Sequence, residues 1–151
     1  MPQNVTMSPT QFLPDESALE ALGCQLATRT PPGGTWLLRG ELGTGKTTWT
    51  RGFLSGLGGA PEQVASPTYA VLHRYHAPTG RVWHLDLYRL GADGAWSLGL
   101  EDQIEATDRL VVEWAGAEGP WPSAWVATLD LACEGEGRRA TWEMPPSEAR
   151  P

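Results

Sequence analysis

Lysine is almost absent. The chain of 151 residues holds one, Lys46, against ten arginines. Basic residues as a whole are few: 11 Lys and Arg face 18 Asp and Glu, a formal net charge of −7. That balance excludes a broad basic face gripping nucleic acid directly, though not work on nucleic acid through a partner. Cysteine is scarce too. Cys24 and Cys133 are far apart and form no C-x-x-C pair, so the plain reading is two reduced thiols in a cytosolic protein. No run of ~18 apolar residues occurs, so no membrane span is expected. Met1 to Thr10 is polar and lacks the basic-then-apolar order of a signal peptide. A cytoplasmic location is the expectation.

Glycine (18), proline (13) and tryptophan (8) are plentiful. The first two indicate many turns, and the third core and boundary packing. The length fits one domain, expected over residues 1–144, with 145–151 as a frayed tail.

The single lysine falls in a telling place. Gly40, Gly45, Lys46 and Thr47 match G-x-x-x-x-G-K-[ST], the phosphate-loop pattern. Glycines let the backbone curl until several N–H groups face one phosphate, and the following helix points its positive end there. Lys46 would reach the β- and γ-phosphates, and the Thr47 hydroxyl a Mg²⁺ ion. The context agrees. Thr35-Trp36-Leu37-Leu38 reads as an incoming strand. Trp49, Phe53, Leu54 and Leu57 recur at helical spacing without proline, and Gly56, Gly58 and Gly59 end the helix. An ordinary Gly-rich turn is the alternative, but four fixed positions arise by chance in a chain this long on the order of one time in a hundred or less. Arginine occupies every other basic position, so the ammonium at 46 serves what a planar guanidinium cannot.

Along the chain, Asp15 or Ser17 caps a helix with Leu19, Leu22 and Leu26 on one face, running to about Arg29. Tyr69 to Tyr75 and Arg81 to Tyr88 read as a hairpin around Pro78-Thr79-Gly80, so the sheet is not wholly parallel. Asp93 to Glu105 is helical in part, interrupted near Gly99. Arg109 to Trp114 is a buried strand carrying a carboxylate near its end. Trp125 to Leu131 is another strand, turned by Glu134 to Gly137 into Arg138 to Met144. The fold class is α/β: a P-loop NTPase-like three-layer sandwich with a mixed parallel and antiparallel central sheet.

A nucleotide hydrolase also needs an acid for the metal and a group to orient water. Asp86 and Glu113 each end an apolar strand, and spacing does not decide which serves the metal. Taken singly, each could equally be a solvated cap. His84 shares a strand face with Asp86. With no third ligand at a recognisable spacing, it reads as a packing or hydrogen-bonding neighbour and not as half of a metal pair. His73 and His76 read as hairpin surface. Ser66-Pro67-Thr68 is either a turn or a switch loop whose Thr68 hydroxyl senses the terminal phosphate.

Together these motifs resemble a known family. Gly40 to Thr48, Arg51-Gly52-Phe53-Leu54, Ser66-Pro67-Thr68-Tyr69, His84-Leu85-Asp86-Leu87-Tyr88-Arg89-Leu90, Gly99-Leu100-Glu101-Asp102 and Val112-Glu113-Trp114 follow the order of the TsaE (YjeE) family. These are small bacterial P-loop ATPases of tRNA threonylcarbamoyladenosine synthesis. The resemblance runs from about Pro14 to Trp114. It implies ATP and Mg²⁺ as cofactors, with Gly43, Thr44, Gly45, Lys46, Thr47 and Thr48 on the phosphates. Thr47 and Asp86 would hold Mg²⁺, Thr68 would belong to the switch loop, Glu113 would lie near the γ-phosphate, and Trp114 near the nucleotide. It also implies a TsaB–TsaD-like heterodimer as partner, tRNA being met only through that complex. A small-molecule or nucleoside kinase is one alternative, disfavoured because no Arg-rich lid segment exists. A non-hydrolysing nucleotide-dependent binding module is the other.

Overall fold

The computed structural model describes residues 8–41, 43–64, 71–91, 94–116 and 118–146. One seven-stranded sheet runs through them. Its strands are β1 (Thr10–Leu13), β2 (Thr35–Arg39), β3 (Leu72–Tyr75), β4 (Val82–Asp86), β5 (Arg109–Glu113), β6 (Val126–Glu134) and β7 (Gly137–Glu143). Their spatial order is β1-β7-β6-β2-β5-β4-β3. The central four, β6, β2, β5 and β4, are parallel, while β7, β1 and β3 join antiparallel at the flanks. The mixed α/β sheet expected from the hairpins is therefore present, and β1 is the short edge strand at its far side.

Two helices, α1 (Glu16–Ala27) and α2 (Lys46–Gly56), cover one face. Trp36, Leu38, Val82, Val111 and Ala127 point there and meet Leu22, Leu26, Trp49 and Phe53. The alternate residues, Leu37, Trp83, Leu85, Leu110 and Val112, point to the other face. That third layer is made of short 3₁₀ turns, Gly94–Leu98 and Leu100–Asp102, which cover the sheet with Ala95 and Leu100. Gly99, in the left-handed region at φ 66°, separates the turns where the sequence predicts an interruption.

Local chemistry sets the helix limits. The Asp15 side chain accepts from the Ala18 N–H at 2.9 Å and starts α1. The helix stops at Ala27, two residues short of Arg29, because Thr28 and Thr30 turn their hydroxyls onto the Gln25 and Leu26 carbonyls ahead of Pro31. The helices pack closely: a Cβ at Gly52 would overlap the Glu20 carbonyl oxygen. Burying Leu22, Leu26, Phe53 and Leu54 at this contact stabilises the fold by about 1.5–3 kcal/mol each. β6 begins at Val126 and continues to Glu134, past the expected Leu131. Only Gly135 and Glu136 form the turn, so pairing reaches Glu134 opposite Gly137.

Candidate functional site: a phosphate loop facing two strand-end carboxylates

β2 leads out of the sheet at Arg39, and α2 begins at Lys46. The residues between them bend back at the carboxyl ends of the parallel strands, where open α/β sheets hold their ligands. Gly45 precedes the helix with φ 103°, and a Cβ there would overlap the Leu19 side chain. The positive φ is what calls for glycine here. The exposed N–H groups at the start of α2 face a cleft of about 1120 Å³.

Gly43, Gly45, Lys46, Thr47, Thr48, Asp86, Glu113 and Trp114 all line this cleft. Thr44 sits behind them, its hydroxyl donating to the Glu41 carbonyl at 2.8 Å. Thr68 lies outside the described residues. Asp86 and Glu113 stand opposite one another in the parallel pairing of β4 and β5. Both share strand parity with residues that face α2, Val82 on β4 and Val111 on β5. Asp86 uses one oxygen, Oδ1, to accept the Tyr88 N–H at 3.0 Å.

Lys46 is 6 % exposed. Its Nζ donates to the Gly40 carbonyl at 2.6 Å and lies 4.3 Å from the centroid of the Trp114 ring. Burial lowers its pKa below the ordinary lysine value, and the nearby charges of Glu113 and Asp86 only partly offset that. Among the described residues no carboxylate forms an ion pair with it. Trp114 itself has φ 63°, the one described non-glycine residue with positive φ, and its ring lies 5.0 Å from that of Tyr88. Such strain in a bulky residue marks a constrained position.

Glu113 is buried, and its Oε2 lies 2.7 Å from His84 Nε2. The other imidazole nitrogen, Nδ1, lies 3.0 Å from the Tyr75 hydroxyl. His84 is thus the hydrogen-bonding neighbour its position predicts, with neither nitrogen left for a metal. No described group of three or more His, Cys, Asp or Glu could hold an ion. His76 is exposed as expected, but His73 is half-buried because its ring stacks on Tyr75 at 6.0 Å.

Sequence reading missed Arg138 altogether. Its guanidinium donates to the Gly43 and Thr44 carbonyls and so touches the phosphate loop from β7. Glu136, Gly137 and the start of α1 complete that wall of the cleft. No local motif signals this, since the contact depends on β7 lying outside β6. No described helix is long and apolar enough to cross a membrane.

Comparison with known proteins bears on the fold and the family. A solved structure, that of the Bacillus subtilis protein YdiB, superposes over 97 % of this chain and 92 % of its own with TM-score 0.70 at 19 % identity, which establishes the fold. A TsaE protein of tRNA threonylcarbamoyladenosine biosynthesis from Bacillus subtilis is 36 % identical over 102 residues, 68 % of this chain and 62 % of its own. One of the same description from Nostoc is 36 % identical over 132 residues, 85 % of this chain and 80 % of its own. The chain thus spans less than two thirds of the Bacillus relative, and half of a relative from Synechocystis. The family model described as threonylcarbamoyl adenosine biosynthesis protein TsaE matches residues 13–141, from the end of β1 into β7, and the chain belongs to that family.

Proposed function

We propose that this chain binds ATP with Mg²⁺ in the cleft, hydrolyses it slowly alone and faster with a TsaB–TsaD-like heterodimer, and so serves threonylcarbamoyladenosine modification of tRNA. One observation carries the reading. The only lysine is buried at the head of α2, its ammonium resting on a carbonyl and an indole face without a described counter-ion. A buried ammonium with no ion pair is unfavourable, and an arriving anion would relieve it.

The residues fit Mg·ATP. The donor set is backbone N–H, one ammonium, one hydroxyl and two carboxylates, which suits phosphate oxygens and a hard cation. Bound Mg·ATP supplies a terminal phosphoryl group whose developing charge the metal helps to neutralise. The backbone from Gly43 to Thr48 holds phosphate oxygens, and Lys46 exchanges the Gly40 carbonyl for one of them. The Thr47 hydroxyl and Asp86 hold the cation. Glu113 orients a water and accepts its proton. Trp114 closes one side and excludes solvent. Thr68, through its hydroxyl, responds to the terminal phosphate.

The arginines are compatible with partner dependence. Arg138 is engaged with loop carbonyls, and Arg89 is the other arginine lining the cleft. An arginine supplied by a partner raises such rates by ~10³–10⁵. The acidic balance fits a subunit that leaves tRNA to its partners. The test is ATP titration with and without Mg²⁺, then phosphate release alone and with the purified TsaB–TsaD pair. Mg²⁺-dependent binding and a rate that rises with the pair are expected. A fast basal rate that the pair leaves unchanged, or transfer to a small acceptor, would overturn the reading.

A further inference from the structure

Three side chains on three adjacent strands form one buried hydrogen-bonded line. Tyr75 on β3 is 2 % exposed, His84 on β4 is 1 % and Glu113 on β5 is 4 %. The line runs from the phenol to Nδ1 (3.0 Å) and from Nε2 to Oε2 (2.7 Å), and it ends on a residue that walls the cleft. We propose that His84 is a positioning residue for Glu113, held by Tyr75 in the tautomer that presents Nε2–H to the carboxylate and keeps it aimed into the cleft.

With a neutral ring at 84 and an ionised carboxylate at 113, the line has one direction. An ionised carboxylate only accepts, so the nitrogen beside it carries the hydrogen. A neutral imidazole then offers a lone pair at Nδ1, and the phenol donates to it. Burial, and then the charge of Glu113, push the Tyr75 hydroxyl up to about 12, so it keeps its proton at any working pH. An imidazole bonded at both nitrogens has one orientation, and the carboxylate it holds has one as well. His84 takes Oε2 of a carboxylate whose residue lines the cleft. The same purpose is served where a carboxylate or carbonyl fixes a metal-bound histidine from behind. Packing alone would not ask for this. An apolar side chain at 84 would fill the space between the sheet and α2 without a matched donor and acceptor.

The inference rests on the reading of Glu113 as the water-orienting group. The experiment uses the full chain with the TsaB–TsaD pair and the variants His84→Gln, His84→Leu and Tyr75→Phe. His84→Gln keeps an N–H toward Glu113, whereas His84→Leu keeps only bulk. ATP affinity, measured by titration, should stay within threefold for all three. Phosphate release should fall by ~10–100-fold in His84→Leu, as when a supporting partner of a working side chain is removed, and less in His84→Gln. Leucine equal to or better than glutamine in turnover would overturn the proposal in favour of packing. A second readout needs no nucleotide. The chain has three histidines, so ¹⁵N spectra of the rings resolve His84. A neutral Nε2–H ring in the wild type, disturbed in Tyr75→Phe, supports the line of bonds. An Nδ1–H ring or an imidazolium in the wild type would overturn it. If even the wild type released no phosphate with the pair, the functional reading would fall, and the ring spectra would still decide how His84 holds Glu113.

Discussion

The Arg138 guanidinium donates from Nη2 to the Gly43 carbonyl at 2.9 Å and from Nε to the Thr44 carbonyl at 3.1 Å. A peptide unit is planar, with its C=O and N–H on opposite sides. Fixing the Thr44 carbonyl toward β7 therefore fixes the Gly45 N–H away from it. The β6–β7 hairpin, remote in sequence, thus holds the glycine loop proposed to cradle phosphate. Arg138→Gln should weaken ATP binding by ~5–50-fold, the loss of one or two charge-assisted bonds on a half-exposed side chain. The melting temperature should move by only a few degrees, because the guanidinium is not in the core. Titration and thermal unfolding of the same sample check both, and unchanged affinity would make the contact incidental.

Lys46→Ala should abolish useful ATP binding, since each charge-assisted bond to phosphate contributes roughly 1.5–3 kcal/mol. Lys46→Arg should bind poorly as well, because a planar fork does not fit where Nζ lies between the Gly40 carbonyl and the Trp114 ring. The lowered pKa adds a pH dependence. Burial depresses the free-state pKa, and phosphate must raise it in the complex. Binding then takes up a proton once the pH exceeds the free-state value. Affinity should fall as the pH climbs toward the ordinary lysine range, with no such fall in Lys46→Arg. Titration across alkaline buffers reads the slope.

What was legible in the sequence was local. The loop, its strand and its helix lie within residues 35–57, so spacing and turn chemistry identify them before any long-range contact is known. Asp86 and Glu113 stood out only beside the glycine loop, since a carboxylate at the end of an apolar strand could equally be a solvated cap. Their juxtaposition needed the parallel register of β4 and β5. The bond from His84 to Glu113 was hidden for the same reason, since it spans 29 residues. Arg138 was least visible: its partners at Gly43 and Thr44 are 95 and 94 residues away. Helix ends shifted where hydroxyls at Thr28 and Thr30 captured carbonyls that periodicity alone leaves to the helix.

Asp86 and Glu113 face the same cleft but carry different partners. Asp86 is half-buried at the end of β4, while Glu113 is buried and tied to His84. Asp86→Asn should reduce the gain in ATP affinity that Mg²⁺ brings, because the cation loses an anionic neighbour. Glu113→Gln should keep ATP binding within a few-fold while phosphate release falls by ~10²–10⁴, the usual range for losing a positioned proton acceptor. Paired titrations with Mg²⁺ and EDTA, together with rates in the presence of the TsaB–TsaD pair, separate the two. The opposite pattern would exchange their roles.

The end of the sheet away from the cleft is held by Asp108, which is 1 % exposed just before β5. Its Oδ2 accepts from the Trp83 indole (2.9 Å), the Glu105 N–H (2.9 Å) and Arg81 Nη2 (3.1 Å), and its Oδ1 from the Arg81 N–H (3.2 Å). Burial alone would raise this carboxyl, but the bonds from Glu105, Trp83 and Arg81 outweigh it and hold the pKa below the usual aspartate value. A pKa depressed on folding means that the ionised group stabilises the fold. That stabilisation is complete above the unfolded pKa of ~3.9 and is lost as the pH falls through the folded one. Asp108→Asn turns one acceptor into a donor facing another donor, whichever way the amide is set. It should cost about 2–4 kcal/mol near neutral pH, in line with stranding one or two buried donors. The difference from wild type should shrink as the pH is lowered toward 3, where the wild type loses the same charge. Asp108 lies five positions along the chain from Glu113, at the other end of β5, so ATP affinity of the folded variant should not change. Urea unfolding at several pH values, with an ATP titration at pH 7, reads all three. A stability difference that stays constant with pH would mean that the carboxylate charge at Asp108 contributes nothing to the fold.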